Sequence, residues 1–236
     1  MSNTYFQFKQ FTVNQERCAM KVGTDGVVLG VLADAYEPSY ILDIGTGTGL
    51  VALMMAQRFS QAVVDAVEIV EEAAQQAEEN ASNSKFASRI HIYQSDINIY
   101  RASHRYDLIV SNPPYFCNSL LNPDEARATA RHTQSLSYEN LVDAAARLIN
   151  VNGVFAVIVP SEAREQLRYL CELSNLHLIS ETYIRTTERK QPKRIVMQFV
   201  NGKAEKLVQH TLTLQDSTGK LTPEFELLTH DFYLDK

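Results

Sequence analysis

The residues with the clearest chemical meaning are Asn112-Pro113-Pro114-Tyr115, which directly follow the apolar run 106–110. That run predicts a buried strand, so the four residues would lie at its carboxyl end, where ligands bind in open α/β sheets. The Asn112 amide oxygen and the carbonyl of Pro113, which has no N–H, can hold a planar amino group and accept the positive charge that grows on its nitrogen. Tyr115 offers a flat face for stacking a base. We therefore predict a catalytic loop, although Asn-Pro and Pro-Pro also occur in ordinary strand-ending turns.

A glycine-rich turn, Gly45-Thr46-Gly47-Thr48-Gly49, lies upstream, between the apolar run 40–44 and a helical stretch at 49–58. Strand, glycine turn and helix form the entry to a nucleotide-binding βαβ unit. Leu50 stands where the dinucleotide pattern G-x-G-x-x-G has its third glycine, and the acidic Asp43 stands just before the turn. Both features argue against a pyrophosphate and predict a ligand without phosphates.

Acidic residues also follow the next two apolar runs. Glu68 follows the run 62–67, and an acid at the tip of the second strand can accept both hydroxyls of a ribose. The alternative is that Glu68 only adds charge to the start of the following helix. Asp96 and Ile97 follow the run 90–93, where an Asx turn explains Asp96 nearly as well as ligand binding does.

These motifs, in their order and spacing, resemble the class I S-adenosylmethionine-dependent methyltransferases that act on planar amino groups. Three further stretches resemble the bacterial tRNA1(Val) adenine-37 N6-methyltransferase family in particular. The resemblance runs from about residue 5 to about residue 200. The three stretches are residues 8–26, which begin Phe8-Lys9-Gln10-Phe11 and end Thr24-Asp25-Gly26, then Glu125-Ala126-Arg127-Ala128-Thr129-Ala130-Arg131-His132, and Glu188-Arg189-Lys190-Gln191-Pro192-Lys193-Arg194.

The resemblance implies an α/β, Rossmann-like fold with a seven-stranded, mostly parallel sheet, helices on both faces and an antiparallel last strand. It also implies S-adenosylmethionine as cofactor and an adenine of a tRNA anticodon loop as substrate. Asp96 would bond the cofactor's adenine amine while Ile97 packs on its ring. The cofactor-binding residues that we predict are Lys21, Gly23, Thr24, Asp43, Gly45, Thr46, Gly47, Gly49, Glu68, Asp96, Ile97 and Asn112.

Hydrophobic periodicity predicts one domain over 1–236, built as a doubly wound sheet. Residues 1–38 would form a hairpin and a helix that cover the cofactor site, 39–202 the core, and 203–236 a C-terminal extension without a predicted function. The stretch 116–136 lacks core periodicity, which is typical of a functional lid or of disorder.

Composition is that of a cytoplasmic globular protein. The chain has 236 residues and three cysteines, with neither an apolar stretch long enough to span a membrane nor a signal-peptide pattern at its N-terminus. The cysteines lack metal-binding spacing, so we predict no metal site, and no obligatory protein partner is evident. The odd number of cysteines and their wide separation predict three reduced thiols.

Charge gives the weakest support for a nucleic-acid substrate, because the formal net charge is −6 and phosphates favour basic surfaces. Basic residues nevertheless concentrate between Arg185 and Lys206, where Lys203 and Lys206 close the run. A solvated basic turn explains this run about equally well. The RNA-binding residues that we predict are Arg127, Arg131, His132, Arg189, Lys190, Lys193 and Arg194.

Other substrates remain open on the sequence alone. The same loop can hold a protein glutamine amide, a guanine N2 amine of ribosomal RNA or an adenine N6 amine of DNA. A cofactor-binding protein without catalysis is a further alternative, against which the intact Asn-Pro-Pro-Tyr loop argues.

Overall fold

The computed structural model describes residues 3–18, 21–114 and 136–235. Its strands are β1 Tyr5–Gln7, β2 Thr12–Asn14, β3 Tyr40–Ile44, β4 Val63–Glu68, β5 Ile90–Gln94, β6 Tyr106–Ser111, β7 Ile149–Pro160, β8 His177–Arg185, β9 Arg194–Val200 and β10 Val208–Thr213. Its α-helices are α1 Thr24–Leu32, α2 Leu50–Arg58, α3 Glu71–Ser82, α4 Tyr138–Leu148, α5 Arg164–Leu173 and α6 Pro223–Thr229.

One central sheet has the strand order β10-β8-β9-β7-β6-β3-β4-β5, and β1 and β2 form a separate antiparallel hairpin. Within the central sheet, β9 runs antiparallel to both β7 and β8, whereas the other pairs are parallel. The predicted fold class is therefore confirmed. The predicted antiparallel last strand corresponds to β9, which is antiparallel but is followed along the chain by the parallel strand β10. Helices cover both faces, with α1 and α2 in one apolar cluster and α4 in the other.

The predicted count of seven strands was wrong, because the sheet has eight. The additional strand is β10, which lies in the C-terminal extension and pairs in parallel with β8. Four of its six residues, 208–211, are exposed, since β10 forms the outer edge of the sheet. An exposed edge strand has little apolar alternation, so the periodicity that predicts buried strands is absent here.

The N-terminal hairpin packs on α3 and on the end of the chain. The buried side chain of Asn80 on α3 accepts a bond from the Asn14 N–H at 2.9 Å and donates to the Asn14 carbonyl at 2.9 Å. The Phe8 ring stacks on Tyr233, and the Lys9 N–H donates to the Phe232 carbonyl at 2.8 Å. The C-terminal extension thus supports the hairpin as well as the sheet edge.

Helix α1 lies close to α2 because it carries a glycine at the crossing point. A Cβ atom on Gly30 would lie only 2.4 Å from the Met54 sulfur. At the carboxyl end of α1, Arg58 donates to the Gly30 carbonyl at 2.9 Å and also to the Ala33 carbonyl. These contacts fix α1, whose first turn faces the candidate site. Among the helices of the described residues, none is long and apolar enough to cross a membrane.

Candidate active site

A cavity of about 300 Å³ lies at the carboxyl ends of β3 and β6, a size at the lower end of the range for small-molecule sites. Three stretches that are distant in sequence meet there, namely the start of α1, the glycine turn and the catalytic loop. Eight predicted cofactor residues line it: Lys21, Gly23, Thr24, Asp43, Gly45, Thr46, Gly47 and Asn112. Six further lining residues were not predicted: Val22, Asp25, Gly26, Thr48, Leu50 and Val51.

The glycine turn uses most of its amide groups internally. Gly45, Gly47 and Gly49 have φ angles of 71°, 56° and 81°, a region that glycine adopts at no steric cost. The N–H groups of Gly45 and Thr46 donate to the Val67 carbonyl, and the N–H of Gly49 donates to the Thr46 carbonyl. A phosphate cradle needs such N–H groups directed at the ligand. Their internal use favours the predicted ligand without phosphates.

Asp43 is a buried carboxyl group at the wall of this cavity, with only 1% of its surface exposed. Its Oδ2 atom accepts bonds from the Thr46 hydroxyl at 2.5 Å and from the Ala52 N–H at 3.1 Å. Among the described residues its Oδ1 atom has no hydrogen-bond partner. Burial raises the pKa of Asp43 to about 7, which the two hydrogen bonds oppose and the nearby Glu68 charge reinforces. The group is suited to face a positively charged part of a ligand.

Glu68 lies at the end of β4, where it supports the glycine turn. Its Oε2 atom accepts from the Gly47 N–H and its Oε1 atom from the Val70 N–H, both at 2.9 Å. The side chain is 8% exposed. Each carboxylate oxygen can accept a second bond, so these contacts leave acceptor capacity for the two ribose hydroxyls that the sequence predicts.

Asp96 and Ile97 lie beside Glu68, although neither lines the cavity. The Ser95 N–H donates to the Glu68 carbonyl at 2.9 Å, which brings the loop after β5 next to the tip of β4. Asp96 Oδ1 accepts from the N–H and the side-chain amide of Asn98, both at 2.9 Å, in the geometry of an Asx turn. Ile97 is buried in an apolar cluster. Gly49 and Glu68 likewise do not line the cavity.

The catalytic loop begins at the cavity wall. Asn112 is half-buried, Pro113 buried and Pro114 exposed. The Ser111 hydroxyl donates to the Ile44 carbonyl at 2.9 Å, which ties the end of β6 to the end of β3. The Asn112 side-chain nitrogen lies 3.9 Å from the position that a Cβ atom on Gly26 would occupy. A glycine at the start of α1 therefore leaves room beside the amide. Tyr115, Arg127, Arg131 and His132 lie outside the described residues.

Arg194 connects the cavity to the basic turn between β8 and β9. Its Nε atom lies 2.8 Å from Oδ2 of Asp25, a residue of the cavity wall. Arg189, Lys190 and Lys193 are exposed on the same turn. Within the described residues, none of these three has an acidic side chain within salt-bridge distance.

Two buried amides position the site without having been predicted. The side chain of Asn80 donates to the Thr48 carbonyl at 2.8 Å and so holds the glycine turn to α3. The Gln15 side chain accepts from the Val22 N–H at 2.7 Å, which fixes a segment of the cavity wall. The only sequence signal for Asn80 is a polar residue among the alanines of the buried face of α3.

Comparison with known proteins places this site in a family. The methyltransferase small domain family matches residues 22–182. A tRNA1(Val) (adenine(37)-N6)-methyltransferase of Phocaeicola vulgatus is 45% identical over 235 residues and covers 100% of both chains. A protein of the same name from Yersinia enterocolitica is 45% identical over 233 residues, which are 98% of this chain and 92% of that one.

A solved structure supports the fold. The crystal structure of a predicted O-methyltransferase from Agrobacterium tumefaciens matches with a TM-score of 0.70 and 19% identity, over 88% of this chain and 96% of that chain. At that identity the likeness concerns the fold alone. The sequence matches go further: this chain belongs to the methyltransferase small domain family and, within it, to the family of the tRNA1(Val) (adenine(37)-N6)-methyltransferases.

Proposed function

We propose that this protein transfers a methyl group from S-adenosylmethionine to the N6 amine of adenine 37 in the anticodon loop of a valine tRNA. The relatives named above carry that activity in their names and match over nearly the full length. A tRNA substrate implies that the enzyme works in the cytoplasm.

One observation carries this proposal. The amide of Asn112 and the glycine turn line the same cavity, so a bound cofactor and a target amine would meet there. In-line methyl transfer depends on this proximity, because holding two reactants in line removes much of the entropic barrier.

The residues that line the cavity suit the positively charged methionine part of S-adenosylmethionine. That molecule supplies an activated methyl group when bound, and it carries a sulfonium and an ammonium group. The orphaned, buried Oδ1 atom of Asp43 offers the complementary negative charge. Glu68 would accept bonds from the ribose, and Asp96 and Ile97 would hold the adenine end. Lys21, Gly23 and Thr24 form the opposite wall.

The substrate amine would be held by acceptors. Asn112 would accept one N–H in its side-chain oxygen, and Pro113 would accept the other in its carbonyl. Tyr115 would stack on the adenine, which leaves the loop at low cost because loop bases are unpaired. Arg127, Arg131 and His132, together with the turn that holds Arg189, Lys190, Lys193 and Arg194, would contact the RNA.

The test is mass spectrometry of nucleosides from unmodified valine tRNA after incubation with the protein and S-adenosylmethionine. We expect N6-methyladenosine, placed at position 37 by fragment mapping. Asn112→Ala should lower the rate roughly 10²–10³-fold, because it removes one preorganised acceptor for the reacting group. Asn83→Ala, an exposed asparagine at the end of α3, is the matched control and should leave the rate unchanged.

The alternatives have distinct outcomes in the same assay. Methyl transfer from labelled cofactor to ribosomal RNA, DNA or a protein glutamine, with tRNA unmodified, would contradict the tRNA assignment and leave the planar-amine chemistry intact. Cofactor binding without transfer to any of these would contradict the enzymatic assignment.

A further inference from the structure

The C-terminal ends of β7, β8 and β10 and the start of β9 form a surface, here called the wall, on the side of the cavity where Arg194 contacts Asp25. Arg194 pairs with Pro160 on one side and with Ile184 on the other, and Arg185 pairs with Thr213. All four of these strand termini therefore lie at the same end of the sheet as the catalytic loop, the end formed by the carboxyl ends of the parallel strands. The wall consists of the basic turn 186–193 and, next to it, the turn 214–222.

The C-terminal extension builds the outer half of this wall. The Leu214 N–H donates to the Arg185 carbonyl at 3.0 Å, and the Gln215 N–H donates to the Thr186 carbonyl at 2.8 Å. Asp216 closes the second turn, since its Oδ1 atom accepts from the Thr218 N–H at 2.7 Å and from the Lys220 N–H at 3.1 Å. The two turns therefore stand side by side as one ordered surface.

This wall carries more positive than negative charge. The turn 186–193 has Arg189, Lys190 and Lys193 against Glu188, and in the turn 214–222 hydrogen bonds from Thr218 and the charge of Lys220 lower the pKa of Asp216. Two basic residues near the N-terminus have acidic partners, since Lys9 pairs with Asp235 at 2.6 Å and Arg17 pairs with Glu79 at 3.4 Å. Arg189, Lys190, Lys193 and Lys220 are exposed, and none has an acidic side chain at salt-bridge distance within the described residues. On a chain with a net charge of −6, such a cluster fits a polyanion.

The distance from the catalytic loop decides which part of a polyanion the wall can reach. Three strand spacings separate β6 from β8, about 14 Å. Ser111 is level with Val157, so Pro160 at the wall lies three residues further along the strand direction, about 10 Å. The wall therefore lies roughly 15–20 Å from Asn112, the length of about five stacked nucleotides.

We propose that this wall binds phosphates of the double-stranded anticodon stem, several nucleotides from the adenine in the cavity. This inference rests on the proposed function and adds the part of the tRNA that the wall contacts. Position 37 lies on the 3′ side of the loop beside the stem, so the backbone reaches paired nucleotides within that distance. Lysine and arginine side chains, with hydroxyls such as Thr186, are the usual phosphate ligands. They position the RNA without reading its sequence.

The test compares two RNA probes, the valine anticodon stem-loop and a stem-less oligonucleotide with the same loop sequence. Lys190→Gln/Lys193→Gln should raise KM for the stem-loop about tenfold and leave kcat unchanged. The slope of log KM against log salt should fall by about 1.8, because the variant no longer neutralises two phosphates of a duplex. KM for the stem-less probe should not change. Lys220→Gln should give a smaller increase in KM on the stem-loop alone.

The matched control is Lys203→Gln/Lys206→Gln. These lysines are also exposed and close to the basic turn in sequence. They lie between the end of β9 and the start of β10, at the opposite end of the strands from the wall. The control should leave KM unchanged for both probes.

An equal rise in KM on both probes would overturn the inference, because the wall would then contact the loop. An unchanged KM on the stem-loop would overturn it too. Fluorescence anisotropy with the stem-loop separates this outcome from failure of the proposed function. If no RNA is methylated, a loss of stem-loop affinity specific to the wall variant still supports phosphate binding by the wall, and equal affinity of both variants refutes it.

Discussion

Two buried aspartates on neighbouring strands, Asp43 and Asp65, differ in what surrounds them, and the difference separates a proposed ligand contact from a contact within the fold. Asp43 on β3 is 1% exposed and Asp65 on β4 is 2% exposed. In the register, Asp65 pairs with Leu42 and Asp43 with Ala66, so the two side chains point to opposite faces of the sheet. Within the described residues, Oδ1 of each aspartate has no hydrogen-bond partner.

Their surroundings differ. Asp43 faces the cavity and is held through Oδ2 alone by Thr46 and Ala52. Asp65 accepts a 2.6 Å bond from the buried Tyr106 hydroxyl, whose oxygen lies 2.9 Å from that of Tyr100. Burial and the bond to Asp65 raise the pKa of Tyr106, so it stays a neutral donor. The first aspartate lines the cavity, and the second lies between the Tyr106 hydroxyl and His104, whose Nε2 atom is 3.4 Å from its Oδ2.

Removing the carboxyl group of Asp65 should give the largest change in free energy among these variants, and the change should be in stability. Asp65→Ala leaves the Tyr106 hydroxyl buried without its acceptor and should lower the free energy of unfolding by about 2–3 kcal/mol. Urea denaturation monitored by circular dichroism measures this change. Affinity for S-adenosylmethionine should stay within a factor of about two at temperatures where the variant is folded.

Tyr106→Phe is the companion variant. In a double-mutant cycle with Asp65→Ala, the two losses should be strongly non-additive because both remove the same hydrogen bond. Additive losses would show that the contact contributes nothing to stability.

Replacing Asp43 should lower the affinity for S-adenosylmethionine instead of the free energy of unfolding. The change in binding free energy should be smaller than the loss of stability in the Asp65 variant. Asp43→Asn keeps an acceptor for Thr46 and Ala52 and places the amide nitrogen where the unpartnered Oδ1 atom lies. Affinity for S-adenosylmethionine should fall about 30-fold at pH 8, the order expected for losing a charge-assisted hydrogen bond. Isothermal titration calorimetry measures it, with Asp65→Asn as control. A 30-fold loss in the Asp65 variant as well would abolish the distinction between the two carboxyl groups.

The change in S-adenosylmethionine affinity with pH should be the smallest of these effects, and it should arise from Asp43 alone. Its pKa is raised to about 7, so the carboxyl group of the cofactor-free protein is neutral below that pH and ionised above it. A cationic ligand favours the ionised form. Affinity for S-adenosylmethionine should therefore rise about eightfold between pH 6 and pH 7.5, and Asp43→Asn should remove this dependence.

Stability of the cofactor-free protein should change in the opposite direction with pH. Because the folded pKa of Asp43 lies above its unfolded value of 3.8, its contribution to stability is fully present below about pH 3.8 and is lost as pH rises through about 7. Thermal melts of the wild type and Asp43→Asn across this range should converge at low pH and separate near pH 8, with the variant more stable. Parallel curves would contradict the raised pKa.

Much of the fold was predictable from the sequence, because the patterns that indicate strands and helices lie within short stretches of the chain. Apolar runs and helical spacing placed elements of the core within a few residues of their observed bounds, including the strand at 40–44 and the helix at 49–58. The gaps have physical causes. Strand β10 is exposed at the sheet edge, and the Asp65 contacts link residues that are 41 positions apart, so neither leaves a periodic pattern.

The sequence predicted which residues make up the candidate site better than it predicted how those residues come together. The glycine turn and the catalytic loop carry their chemistry in a few consecutive residues, so the sequence was sufficient to select them. The start of α1 contributes Asp25 and Gly26 to the cavity wall, and the sequence analysis predicted their neighbour Thr24 as a ligand contact but neither of these two residues. Their position depends on how α1 packs against α2.

The sequence by itself determined which short segments are the candidates for the chemistry, since a glycine turn after a strand and an Asn-Pro-Pro-Tyr loop depend on neighbouring residues alone. Only the tertiary structure decided which segments meet. The strand order brings Asn112 and Asp43 to one cavity, and the antiparallel β9 places one basic stretch at opposite ends of the sheet, with Arg189 at the end that carries the catalytic loop and Lys203 at the other. Strand order follows from the burial of whole apolar faces, a property of the entire chain that no local pattern contains.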